Sequence, residues 1–198
     1  MHNHYKIYKP VGYLSQFVNN QNRRKNKKLL GELADFPKNT MAIGRLDENS
    51  EGLLLLTTDG KVSEYIRSKN VEKEYYVEVD GIIGLTHIDQ LIEGVSIKNN
   101  GNVFHAKALN SRLLEKKEFT NVPYRKVRSD RHGPTSWLSV TLTEGKFRQV
   151  RKMTAAVGYP TLRLVRVRIG DFTIEHMKIG EVIELASLMS VNDSYETH

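Results

Sequence analysis

The sequence predicts an α+β domain built on a largely antiparallel sheet. Strand-like segments outnumber helical ones, helical spacing is confined to three short stretches, and the two do not alternate in the regular βαβ order of a parallel sheet. The chain has 198 residues, 39% hydrophobic and 27% charged, which suits one domain of one or two lobes rather than a disordered chain.

Tyr5-Lys6-Ile7-Tyr8 reads as a short strand stopped by Pro10-Val11-Gly12. Residues 19 to 28 hold no apolar side chain and five cations, which predicts an exposed loop, either solvated or in contact with phosphates. Leu53-Leu54-Leu55-Leu56, between Gly52 and Thr58-Asp59-Gly60, predicts a strand buried on both faces. Val62, Tyr65 and Ile66 fall at helical spacing within 61–69, and Tyr75 to Val79 alternates as a strand ending at Asp80-Gly81.

Thr86 is placed to cap a helix whose Ile88, Leu91, Ile92 and Val95 form one apolar stripe. Asn99-Asn100-Gly101 is a turn, followed by a strand over 103–109. Residues 110–136 lack periodicity and read as a long basic connection. Trp137 to Thr143 alternates as a strand. Lys146 to Val157 reads as a helix stopped by Gly158 with Pro160 beyond. Leu162 to Ile169 is strand-like, with a change of phase between Leu164 and Val165 that suggests a bulge.

Several functions are excluded early. There is no cysteine, hence no disulfide scaffold, thiol nucleophile or cysteine-held metal. No run approaches the ~18 apolar residues of a membrane span, and the N-terminus lacks the apolar core of a secretory signal, so a cytoplasmic protein without a membrane partner is expected. No GxxxxGK[ST] loop or G-x-S-x-G elbow occurs, and the seven histidines form no ligand pair, so neither a nucleotide cofactor nor a metal is expected. Thirty Lys and Arg against twenty-three Asp and Glu leave a net charge of +7, which favours a polyanionic partner.

Four groups could carry chemistry. Asp47, Glu48 and Glu51 stand just before the leucine strand, in a loop that a rigid element would position. The alternative is a surface turn in which Arg45 pairs with Asp47. Arg148, Arg151 and Lys152 would share one helix face, opposite Phe147, Val150 and Val157. Such a face meets phosphates, turns one arginine toward a carboxylate, or simply stays solvated. Leu162 to Gly170 alternates apolar residues with Arg163, Arg166 and Arg168, one face for the core and one for an anion. Tyr75 is either a stacking platform for a base or plain core.

In this order the clusters resemble the RsuA-like family of RNA pseudouridine synthases. The residues that carry the match are Lys9-Pro10-Val11-Gly12, Gly44-Arg45-Leu46-Asp47 with Gly52 to Thr57, Lys73-Glu74-Tyr75 with Val77, Glu144 to Met153, and Leu164 to Gly170. Lys73 to Gly81 and Pro134 to Leu138 are most similar to the E type acting on large-subunit (23S) ribosomal RNA. The resemblance implies the family's catalytic fold, a mostly antiparallel sheet in two lobes flanked by helices around a central cleft. It places the catalytic domain at 1–188 without an N-terminal S4 domain, followed by a polar tail at 189–198.

It further implies isomerisation of uridine to pseudouridine in a stem-loop of large-subunit ribosomal RNA or a pre-ribosomal particle, by a monomer without cofactor or metal. The family's essential aspartate maps onto Asp47, its ring-packing tyrosine onto Tyr75 and the aspartate's arginine partner onto Arg151. Arg45, Lys73, Arg148, Lys152, Leu164 and Arg166 form the substrate-binding set. Lys152 stands where a second arginine is frequent, which keeps charge but loses bidentate contact. Burial alone would silence a carboxylate by favouring its protonated form, and a neighbouring guanidinium would keep it ionised. On the residues alone, a non-catalytic RNA-binding or ribosome-assembly protein and a glycoside-type hydrolase using Asp47 and Glu51 remain alternatives.

Overall fold

The computed structural model describes residues 2–18, 26–68, 71–99, 101–120 and 122–189. The elements are, in chain order, β1 (His4–Lys9), β2 (Met41–Ile43), β3 (Glu51–Thr57), α1 (Gly60–Ser68), β4 (Lys73–Asp80), α2 (Leu85–Glu93) and β5 (Val95–Asn99). They continue with β6 (Asn102–Ala106), β7 (Asn110–Leu113), β8 (Thr135–Leu142), α3 (Gln149–Ala156), β9 (Thr161–Ile169), β10 (Phe172–Thr173) and β11 (Val182–Leu185). The chain divides into two units: Met1–Asn70 with Met177–His198, and Val71–His176.

In the first unit the strands run β11, β1, β3, β2, each antiparallel to its neighbour. The leucine strand is buried along its whole length, as its unbroken apolar run predicts. Four leucines out of water contribute roughly 1.5–3 kcal/mol each. One face joins Tyr5, Ile7, Leu30, Leu54 and Leu56 into a core, closed by Phe17 and Phe36. Phe36 meets Tyr5 and Phe17 edge-on, at 5.5 Å and 5.3 Å between ring centres. Asp59 accepts hydrogen bonds from the backbone N–H groups of Lys61 (2.9 Å) and Val62 (3.4 Å) and so starts α1. Of the basic loop expected at 19–28, residues 19–25 lie outside the described residues.

In the second unit the order is β7, β8, β4, β9, β10, all antiparallel, beside a β5–β6 hairpin. α2 packs on β7, and α3 on β5 and β9. Four expectations need correction here. Thr86 is not the cap of α2: Gly84 holds that position in an extended conformation, and the helix opens at Leu85. The helix also stops at Gly94 (φ +116°), so Val95 starts a strand instead of completing the apolar stripe. Only glycine fits there, because a Cβ would run into His105.

The basic connection at 110–136 contains β7 and two short 3₁₀ turns, Lys116–Phe119 and Asp130–His132. β7 was illegible because it is a polar edge strand, held by Ser111 donating to the Ser139 carbonyl at 2.9 Å. The irregularities of β9 fall at Leu162 and Val167, the residues skipped in its register with β4, and not between Leu164 and Val165. The polar tail expected at 189–198 lies, beyond Met189, outside the described residues.

Candidate functional site

Asp47 is half-buried in a tight turn of the first unit, where Ser50 N–H donates to its carbonyl at 3.0 Å. Three contacts fix that turn. The Ser15 hydroxyl donates to the Leu46 carbonyl (2.8 Å), and Leu46 N–H donates back to Ser15 Oγ (2.9 Å). Gly12 N–H donates to the Glu48 carbonyl at 2.8 Å. The Lys9 ammonium, fully buried, donates to the Ser50 carbonyl (2.7 Å) and to Pro10 (2.9 Å).

Lys27 also pairs with Glu48. The turn then feeds directly into rigid β3. Arg45 is exposed and reaches Gln16 Oε1 at 3.5 Å. Glu51, a third acid of the cluster, is 1% exposed.

The second unit gathers four of the sequence-predicted residues on one sheet face. Tyr75 lies opposite Arg166, and Val77 opposite Leu164, so these four side chains share a face. Lys73, two residues before Tyr75, points the same way. Burial first, and the Arg166 charge second, lower the Lys73 pKa. Its ammonium donates to the Val71 (2.7 Å) and Thr143 (3.0 Å) carbonyls, ties that brace the start of β4. Tyr75, Leu164 and Arg166 are all buried.

The anion face expected from three β9 arginines is a correction. Arg163 is 2% exposed, donates to the Pro123 carbonyl at 2.8 Å and lies 5.7 Å from the Trp137 ring centre. Arg168 is held by Glu72 (2.8 Å) and Glu74 (3.2 Å), which keep its pKa above the ordinary value, the Glu72 hydrogen bond foremost. The bulge at Val167 puts Arg166 and Arg168 on different faces although they are two residues apart.

The expected helix over 146–157 also starts later. Arg148 is its N-cap, in the left-handed region at φ +53°, and only Gln149–Ala156 is helical. The expected three-residue basic stripe is therefore Arg151 and Lys152 on the helix, with Arg148 at its mouth. Phe147 is not on an apolar helix face: it is 64% exposed, with the Lys152 ammonium 5.2 Å from its ring centre. Val150 and Met153 supply the buried side, and Arg151 is half-buried with Nη1 3.5 Å from the Thr161 carbonyl. The lead-in is braced by Gln149, which accepts from Lys146 N–H (2.9 Å) and donates to Glu144 (2.8 Å). Among the described residues no three His, Asp or Glu side chains gather as metal ligands.

The model of the RNA pseudouridylate synthase family matches residues 3–156. The chain belongs to this family. The matched stretch carries Arg45, Asp47, Lys73, Tyr75, Arg148, Arg151 and Lys152, while Leu164 and Arg166 follow it.

Among the synthases it resembles, ribosomal large subunit pseudouridine synthase E of Xanthomonas axonopodis pv. citri is 40% identical over 169 residues, 84% of this chain and 85% of that protein. The protein of the same name from Vibrio parahaemolyticus is 38% identical over 184 residues, 89% of this chain and 71% of its own. A crystal structure of a pseudouridylate synthase superposes with a TM-score of 0.71 at 23% identity, over 93% of this chain and 70% of that one. The α+β fold with its mostly antiparallel sheet is thus a synthase fold, and the chain is an RNA pseudouridine synthase, an isomerase that acts on RNA. No helix among the described residues is long and apolar enough to cross a membrane.

The sequence singled out Lys9 and Gly12 as motif residues but gave no sign that they hold the Asp47 turn, and Ser15 carried no signal, because its partner is a backbone 31 residues away.

Proposed function

We propose that this synthase isomerises a uridine of large-subunit (23S) ribosomal RNA, with Asp47 as the catalytic carboxylate. Two relatives named ribosomal large subunit pseudouridine synthase E, aligned over 84% and 89% of this chain, carry the reading. The catalytic domain is assigned to 1–188 and comprises both units, working as a monomer in the cytoplasm.

The reaction breaks the bond from ribose C1′ to uracil N1, turns the ring and joins C5 to C1′. N1 gains a proton and C5 loses one, so the product is an isomer. A stacked uridine must first leave its stem, at a cost of a few kcal/mol. Tyr75 is assigned to pack on the extruded ring and recover part of that cost. Asp47 acts on the ribose, by attack at C1′ or by removing a ribose proton to give a glycal. The turn braced by Ser15, Gly12 and Lys9 supports this role, since a carboxylate on a fixed backbone loses no freedom at the moment of reaction.

Arg151 is assigned as the countercharge of Asp47, and Leu164 as a wall for the ring. Arg45, Arg148, Lys152 and Arg166 are assigned to the RNA, with Lys73 acting through the β4 backbone it braces.

The test is tritium release from transcribed 23S ribosomal RNA labelled at uridine C5. Wild type is expected to release tritium and Asp47→Asn to release none while binding RNA normally. RNA bound by both proteins with no release from either would leave a binding protein on this fold. Equal loss in Asp47→Asn and Glu51→Gln would favour a carboxylate pair.

A further inference from the structure

Past the face that bears Tyr75, the second unit holds an open cavity of about 500 Å³. That lies within the roughly 300–1,000 Å³ of small-ligand pockets. Glu78 of β4 lines it, three residues on from Tyr75, an odd separation that turns it to the other sheet face. Thr135 Oγ1 donates to the Glu78 carboxylate at 2.9 Å and fixes the one acid in the lining.

The cavity wall is a loop anchored at both ends. Val122 is buried and the Pro123 carbonyl receives Arg163 at 2.8 Å. Further on, Arg128 pairs with Asp80 (2.8 Å) and donates to the carbonyls of Pro134 (2.9 Å) and Gly133 (3.2 Å). Arg128 is therefore a brace. Between the anchors stand Tyr124, Arg125 and Lys126, all lining the cavity. Tyr124 is 87% exposed, so its ring adds nothing to the core. An exposed aromatic followed by two cations on a held loop is the combination that binds unpaired nucleotides: the ring stacks on a base and the cations meet its phosphate.

We propose that this pocket is a second RNA contact, which takes one unpaired nucleotide with its base on Tyr124 and its phosphate at Arg125 and Lys126. It rests on the ribosomal RNA reading above for the identity of the RNA, and on its own geometry for the rest. Its place in catalysis is to position the RNA, away from the reacting base.

Binding is measured to transcribed 23S ribosomal RNA and to heparin, a polyanion without bases, with folding checked by circular dichroism. Tyr124→Ala is expected to weaken RNA binding roughly tenfold and leave heparin binding unchanged. Tyr124→Phe should bind like wild type. Arg125→Ala with Lys126→Ala should weaken both ligands and flatten the salt dependence by about two charges. Wild-type RNA affinity in Tyr124→Ala, or equal loss of RNA and heparin, overturns the proposal.

Tritium release by the wild type reads the catalytic assignment separately. A protein that releases tritium, with Tyr124→Ala binding as wild type, keeps the enzyme and loses the pocket. A protein that releases none, yet depends on Tyr124 for RNA, keeps the pocket and loses the enzyme.

Discussion

The Ser15 hydroxyl and the backbone of Leu46 close a ring of two hydrogen bonds, at 2.8 Å and 2.9 Å, one residue before Asp47. Both partners are buried, so each bond is made where water cannot replace it. Removing the hydroxyl leaves a buried N–H and a buried carbonyl to find new partners, at about 1–3 kcal/mol. Ser15→Ala is expected to lower kcat about tenfold, with KM little changed and Tm reduced by a few degrees. A kinetic profile like that of the wild type would show that the turn holds Asp47 without this ring.

The assignment of Arg151 to Asp47 predicts a loss confined to turnover. Arg151→Ala should cost activity far more than RNA affinity, with Arg151→Lys in between. Single-turnover tritium release and filter binding on the wild type and these two variants measure this. Parallel loss of activity and affinity would mark Arg151 as a phosphate contact instead.

The three β9 arginines should separate by phenotype. Arg163→Ala strips the Pro123 carbonyl of a buried donor and is expected to cost at least about 2 kcal/mol in urea unfolding. Arg168→Ala leaves Glu72 and Glu74 facing each other and should also act mainly on stability. Arg166→Ala, beside Tyr75 across the strand pair, should instead lower RNA affinity and tritium release together, with little change in urea unfolding.

Arg148 holds a left-handed conformation, which costs a non-glycine residue on the order of 1 kcal/mol. Arg148→Gly is expected to leave stability unchanged or slightly raised. The same change should weaken RNA binding and flatten its salt dependence by about one charge. Filter binding across a salt series, with thermal melts alongside, checks both halves. A clear drop in Tm would mean that the side chain supports α3.

Stability should also depend on pH through His4. Its ring is buried, with Nδ1 2.9 Å from Thr57 Oγ1. Burial, opposed by Asp59 and assisted by His2, lowers its pKa below the ordinary histidine value. A base with a depressed folded-state pKa binds fewer protons folded than unfolded. Its penalty is therefore absent above about pH 6.5 and grows as pH falls through the folded value. Tm of the wild type should decline over that range more steeply than Tm of His4→Gln. Parallel curves would refute this.

Local pattern alone determined the leucine strand, the strands β4 and β8 and the glycine stop after α3, while Asp47, Tyr75 and Arg151 were singled out only by the resemblance of their motifs to a family. Each is written in side chains that are neighbours in the chain. Tertiary structure decided what depends on backbone groups far apart in sequence: the Ser15 and Lys9 braces on the Asp47 turn, the polar edge strand β7 and the early end of α2 against His105. It also decided which arginines are available. Arg163, Arg166 and Arg168 look equivalent along the chain, but a bulge at Val167 and carbonyl or carboxylate partners on other elements give each a different environment. The physical reason is that charge and periodicity are properties of a segment. The satisfaction of a buried polar group is a property of whatever the fold brings beside it.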